Sequence, residues 1–264
     1  MTKSKENIHK PFMSEKKDSK TIIIFVHGIV EGPDQFKAFA KAIEEDYSYS
    51  AVLLNGHGTS GRNFVRSNKD KWIETVEREI VKYKDNYENI ILVGHSMGSL
   101  ISILLSLKYK DKVKGLVLIA TPLKVFVKWR IIRSSIRYIF KKEKNDKLAK
   151  EIAKMVSVDR CSLLTYIKWT FRYMDLFYLI YITKKHLNEI NVPTLIVQSQ
   201  NDELVSYKSL KVFENKLKNK YKIFQLKNSG HFYYQDNELK DLLKEFKLFI
   251  TNILININNK SYFD

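Results

Sequence analysis

The apolar run Asn89-Ile90-Ile91-Leu92-Val93 passes through Gly94-His95-Ser96-Met97-Gly98 into Ser99-Leu100-Ile101-Ser102-Ile103-Leu104-Leu105. That order predicts a strand, a G-x-S-x-G turn and a helix. A serine in such a turn sits on a sharp, strained backbone and projects its hydroxyl from the top of a parallel sheet. Positive φ and crowding exclude bulky side chains two positions to either side, which accounts for Gly94 and Gly98. The five-residue string alone arises easily by chance; its place between a strand and a helix gives it weight.

The rest of the chain repeats that alternation. Thr21-Ile22-Ile23-Ile24-Phe25-Val26 has the pattern of a strand buried on both faces and ends at His27-Gly28. A helix is expected over Asp34–Glu45, with Asp34 as N-cap after Pro33, and a strand over Tyr49–Leu54. A second helix is expected over Asp70–Lys82 and a further strand over Val113–Ala120. After an interruption, the strand Pro193–Gln198, the helix Ser206–Leu217, the strand Lys222–Leu226 and a final helix Leu239–Ile255 follow. Strands alternating with helices predict an α/β fold with a mostly parallel, doubly wound sheet and right-handed crossovers. The interruption, residues 122–190, is an insertion at the carboxyl end of a strand, where open α/β sheets place their ligand crevice. The expected organisation is a disordered basic tail over 1–20, a core over 21–121 and 191–264, and a helical insertion over 122–190.

Composition excludes several classes. With 44% hydrophobic residues the chain can bury a sizeable core. One cysteine, Cys161, rules out an intramolecular disulfide and fits a reducing, cytoplasmic compartment. The apolar runs are too short and too interrupted by lysine to span a membrane, and Met1–Lys20 lacks the apolar stretch of a secretory signal. The net charge of +17 is concentrated in residues 122–190, where sixteen lysines and arginines face six acids. Such a region suits an anionic lipid surface, a nucleic acid or an acidic substrate, or serves solubility alone. No recognition motif accompanies the charge, so nucleic-acid binding is not expected.

A serine hydroxyl needs a histidine base, and that histidine needs an acceptor behind it. Of the six histidines, His9 lies in the tail, and His27, His57 and His95 lie upstream of or within the serine turn. His186 sits beside Lys184 and Lys185. His231, in Asn228-Ser229-Gly230-His231 just past the last strand, is the candidate base. Asp202, in the turn after the Pro193–Gln198 strand, is the candidate acid, with its neighbour Glu203 as the alternative. An aspartate there could serve turn chemistry alone, but the chain order Ser96, Asp202, His231 favours catalysis. The developing oxyanion needs two donors. The candidates are the backbone N–H groups of Met97 and of Ile29, with Gly28 letting the backbone approach closely. His27 reads as a prop for that loop.

These residues resemble an α/β-hydrolase of the bacterial carboxylesterase and monoacylglycerol-lipase-like branch. The resemblance runs from about Thr21 to Ile250 and rests on His27-Gly28, Asn55-Gly56-His57-Gly58-Thr59-Ser60, Gly94-His95-Ser96-Met97-Gly98, Asp202 and Ser229-Gly230-His231. It implies the α/β-hydrolase fold with a helical lid inserted after the sixth strand. It also implies a nucleophile at Ser96, an orienting acid at Asp202, a base at His231 and oxyanion amides at Ile29 and Met97. Neither metal nor organic cofactor is implied. The activity implied is hydrolysis of carboxylic esters of lipid-like substrates. A thioesterase or acyltransferase would use the same residues, and a non-catalytic lipid- or partner-binding scaffold is the contrasting class.

The insertion is more basic and aromatic than the resemblance leads one to expect. A helix is expected over Leu123–Phe140, with Val125, Trp129, Ile132, Ile136, Ile139 and Phe140 in an apolar stripe beside Arg130, Arg133, Arg137 and Lys141. It suits either docking of the stripe on the core or peripheral contact of the Lys124–Lys142 segment with an anionic membrane. A second helix over Cys161–Ile182, apolar nearly all round, is expected to be buried over Ser96 and to wall an apolar tunnel for an acyl chain. Gly28, His95, Trp129, Tyr166 and Phe171 are the candidate substrate contacts.

Overall fold

The computed structural model describes residues 9–260. Seven strands form one sheet: β1 (Phe12–Ser14), β2 (Thr21–Val26), β3 (Ser48–Ala51), β4 (Asn89–His95), β5 (Val113–Ile119), β6 (Thr194–Ser199) and β7 (Tyr221–Leu226). Their spatial order is β1-β3-β2-β4-β5-β6-β7; every pair is parallel except β1 with β3. The helices are α1 (Lys37–Ile43), α2 (Gly61–Val65), α3 (Lys69–Tyr83), α4 (Met97–Lys108), α5 (Trp129–Ile139), α6 (Lys147–Met155), α7 (Leu163–Lys168), α8 (Thr170–His186), α9 (Ser209–Lys216) and α10 (Asp236–Lys260).

The continuous apolar runs are explained by a core on each side of the sheet. Ile22, Ile24, Ile90 and Leu92 pack on one side with Trp72, Leu100 and Leu179. The alternate residues Ile23, Phe25, Ile91 and Val93 pack on the other with Phe36, Phe39 and Phe246. A strand covered on both faces favours apolar residues at consecutive positions.

Several expectations need correction. The stretch expected to be a disordered tail carries β1 from Phe12, which hydrogen-bonds to β3, and His9 is buried against Gly32; residues 1–8 lie outside the described residues. Asp34 caps nothing: a 3-10 turn over Pro33–Phe36 precedes α1, and Asp34 pairs with Lys37 instead. Helices α5–α8 follow β5, not a sixth strand, because among the described residues only β1 precedes β2. Residues 123–128 are not helical. Val125 bridges Val205 in antiparallel sense, and Trp129 begins α5. The long second helix is broken at Trp169 into α7 and α8. It is also not buried all round. Leu163, Leu164, Ile167, Phe171, Met174 and Phe177 are exposed, while Trp169, Leu176, Leu179 and Ile180 face inward.

Candidate active site

Strand β4 delivers Ser96 at φ 50°, ψ −119°, with its N–H held by the Ile119 carbonyl at 2.8 Å. A left-handed φ on serine is costly and persists only where the surroundings enforce it. A Cβ on Gly98 would lie 2.0 Å from the Val26 carbonyl oxygen, and one on Gly94 would lie 2.5 Å from the Gly98 backbone. Only glycine lets α4 start this close to β2. Ser96 is followed by Met97, the first residue of α4, whose backbone lies at the helix N-terminus.

The loops after β6 and β7 meet at a buried pair. His231 Nδ1–H donates to Asp202 Oδ2 at 2.9 Å. The other carboxylate oxygen accepts the N–H groups of Leu204 and Val205, each at 2.8 Å. Burial opposes the charge on Asp202, but His231 and these amides hold its pKa below the usual carboxylate range. Glu203, the alternative acid, does not take this place; its carboxylate accepts the backbone N–H of His231 at 2.9 Å and so fixes the loop.

The loop after β2 carries a group that the sequence did not single out. Glu31 is buried, and one carboxylate oxygen, Oε2, accepts from Gly28 N–H at 2.8 Å, His95 Nδ1–H at 2.8 Å and Gln35 Nε2 at 3.0 Å. The other oxygen lies 3.6 Å from His231 Nε2. The imidazole of His231 therefore stands between two carboxylates. Gly28 and His95, expected as substrate contacts, meet at Glu31. The only sequence signal was an acid in the loop that follows a buried strand, among otherwise uncharged neighbours; its partner His95 is 64 residues away.

Two further histidines shape the loop. His27 Nδ1–H donates to the Gly28 carbonyl at 2.8 Å, and its Nε2 accepts the Leu54 N–H at 3.0 Å. His57 accepts the Val30 N–H through Nε2 at 3.0 Å. Burial pushes both imidazoles below their ordinary pKa, so each keeps a free lone pair for its amide. Val30 has φ 59°, a rare conformation for a β-branched residue, and the His57 bond helps hold it. Glu31, His95 and His231 each bring a possible metal-ligand atom within 4.8 Å of the others. The Glu31 hydrogen bonds account for that grouping without an ion.

Ser96, His231, Glu31 and Ile29 border a cavity of about 520 Å³ whose remaining walls are mainly apolar. Tyr138 and Ile139 of α5, Tyr166 of α7, and Tyr173, Leu176 and Phe177 of α8 form much of its far side. Tyr166 lines it as expected. Trp129 and Phe171 do not: they point outward, 71% and 61% exposed.

The family model described as serine aminopeptidase, S33 matches residues 17–233. "Putative esterase/lipase 3" of Mycoplasma genitalium is 33% identical over 141 residues, 52% of this chain and 49% of that protein. "Probable lysophospholipase BODYGUARD 4" of Arabidopsis thaliana is 33% identical over 105 residues, 38% of this chain and 24% of that one. The chain thus spans about half the length, or less, of these curated relatives. A structure of the metagenome-derived lipolytic enzymes LipS and LipT aligns with TM-score 0.72 at 18% identity, covering 92% of this chain and 97% of that one. The monoacylglycerol lipase of Paleococcus ferrophilus aligns with TM-score 0.66 at 14% identity, covering 91% and 99%.

Proposed function

The chain belongs to the serine aminopeptidase S33 family of hydrolases, and from that premise we propose that it hydrolyses carboxylic esters of lipid-like substrates, a monoacylglycerol or lysophospholipid among them. One observation carries the reading. Ser96 and a His231 anchored by Asp202 open onto the same cavity, whose walls are apolar and suit an acyl chain far better than a charged peptide terminus. The names of the relatives, an esterase/lipase and a lysophospholipase, support the same class.

In this reading His231 Nε2 takes the proton of Ser96 as its oxygen attacks the ester carbonyl. The N–H groups of Ile29 and Met97 receive the developing oxyanion; losing one such donor costs roughly 3 kcal/mol of barrier. His231 then gives the proton to the departing alcohol, and water releases the acyl group from Ser96 by the reverse steps. Asp202 stays ionised and holds the imidazole in the required tautomer. Residues 122–190 act as a lid over the acyl group. The proposal includes a cytoplasmic location, which the single cysteine favours, and a peripheral contact of Lys124–Lys142 with an anionic membrane. No helix among the described residues is long and apolar enough to cross one.

A fluorophosphonate probe tests the nucleophile. The wild-type protein should label and Ser96→Ala should not; equal labelling of both would remove Ser96 from the chemistry. Along a series of p-nitrophenyl esters, kcat/KM should rise from short to medium acyl chains, and a flat or falling series would remove the acyl-binding role of the cavity.

A further inference from the structure

The helices between β5 and β6 show an outer surface unlike the rest of the molecule. Trp129, Ile132, Ile136 and Phe140 recur at three- and four-residue spacing on the exposed side of α5, while Ile131 and Ile139 turn to the cavity. On α7, Leu164 and Ile167 are 74% and 66% exposed. On α8, Phe171, Met174 and Tyr178 form a second outward row, and Tyr173, Phe177 and Tyr181 a third. Monomeric soluble proteins rarely leave so many large apolar side chains together in water.

The cavity opens through this surface. Val125, Val127, Tyr173 and Phe177 line the cavity and are exposed as well, so they mark its mouth. The charge around the mouth is cationic because the segment's acids are largely occupied. Glu143 pairs with Arg160, Asp146 with Arg137, Glu151 with Lys154, Asp175 with Arg172 and Glu189 with His186. Lys124, Arg133, Lys141, Lys142 and Lys168 are exposed and form no ion pair among the described residues. A second copy of this chain would bring the same cations against them. An anionic lipid surface answers both features, since lysine and arginine meet headgroups while tryptophan, tyrosine and aliphatic side chains enter the boundary beneath.

We propose that the outer faces of α5, α7 and α8 dock on an anionic bilayer with the cavity mouth against it, so that the ester enters from the lipid without crossing water. This rests on the ester-hydrolase reading for its substrate but extends the contact well beyond Lys124–Lys142. The apolar rows of α7 and α8 supply the insertion, and the cations of α5 and its flanks supply the preference for anionic lipid.

Flotation of the Ser96→Ala protein with vesicles tests docking without turnover. The expected result is binding to vesicles rich in phosphatidylglycerol, weaker binding to pure phosphatidylcholine, and release as salt rises. Combined Leu164→Ser, Ile167→Ser and Met174→Ser, none of which lines the cavity, should lower partitioning at least about tenfold. Combined Arg133→Gln, Lys141→Gln and Lys142→Gln should cut the phosphatidylglycerol preference by roughly fivefold per charge. Placed in the active-serine background, both sets should still hydrolyse a short, water-soluble p-nitrophenyl ester as the wild type does, which shows that they fold. Equal binding to the two vesicle types, or none to either, overturns the proposal. So does a wild-type dimer that the serine set converts to monomer without changing vesicle binding, which assigns the face to a second copy. Docking by a protein inert on every ester supports the surface and refutes the hydrolase reading instead.

Discussion

The sheet with its loops and the helical segment between β5 and β6 are both rich in apolar residues and treat them in opposite ways. In the sheet region, most apolar side chains are buried and the titratable groups of the loops have partners: His27, His57, Glu31, Asp202 and His231 are all buried and hydrogen-bonded. In the segment, many apolar side chains face outward and several cations form no ion pair among the described residues. The sheet region is completed by its own contacts; the segment is only half completed by them. The two are joined at defined stitches. Val125 bridges Val205, three residues past Asp202, and Val156 bridges Glu31. Backbone bonds from Phe126 to Leu204 and from Ser157 to Val30, each 2.9 Å, reinforce them. The segment is therefore rooted on the two loops that carry the candidate acid and the Ile29 amide.

The strongest way to break this contrast is through chemistry. Asp202→Asn keeps an oxygen for the Leu204 and Val205 amides but presents the wrong partner to His231 Nδ1. Turnover of a soluble ester should fall about 10⁴-fold. Lys141→Gln, in the segment, should leave that turnover unchanged. A loss of less than tenfold in Asp202→Asn, measured as kcat, would mean that His231 does not depend on this carboxylate.

Stability gives the next largest difference, and two tryptophans measure it. Trp72 is fully buried, stacks on Phe64 and donates Nε1–H to the Asn55 carbonyl at 3.1 Å. Trp72→Ala should cost about 3–5 kcal/mol. Trp129→Ala should stay within about 0.5 kcal/mol of wild type in urea unfolding without lipid. Comparable losses at both positions would mean that Trp129 packs against the protein and that the outer face of α5 is closed.

The same division decided how much could be read from sequence. The parallel sheet was legible because Ile22–Val26, Ile90–Val93 and Leu116–Ile119 are apolar at consecutive positions, as a strand covered on both faces requires. The serine turn was legible because Gly94 and Gly98 report backbone contacts directly. β1 was hidden, because three residues pairing at an edge leave no period among lysines. Glu31 was hidden because its importance lies in His95 and His231, far along the chain. The segment misled most. All-round apolar character in Cys161–Ile182 implies burial only if water is the sole alternative to the protein interior. The expectation that Phe171 contacts substrate fails on the same ground, whereas Trp129 lies on a stripe that suits either the core or a membrane surface.

The finest test concerns an acid placed on both sides of this division, since Glu31 lies in the loop of the candidate Ile29 amide and its backbone bridges the segment at Val156. Burial pushes the His231 pKa down, but Asp202 first, then Glu31 and Glu203, outweigh it and raise it to about 9. Burial pushes Glu31 up, yet His95 and His231 bring it down to about 2, so it is charged throughout the working range. A general base acts when neutral, so activity should climb with pH toward about 9. Glu31→Gln removes one of the raising charges and should move this acidic limb to lower pH by about one unit, a roughly tenfold gain in kcat/KM on the limb. The stability change runs the other way. A raised histidine pKa stabilises the fold fully below pH 6.5 and ceases to do so as pH rises through about 9. Glu31→Gln should therefore lower the melting temperature more at pH 6 than at pH 9. A merely structural Glu31 would lower stability equally at both pH values and leave the limb where it was.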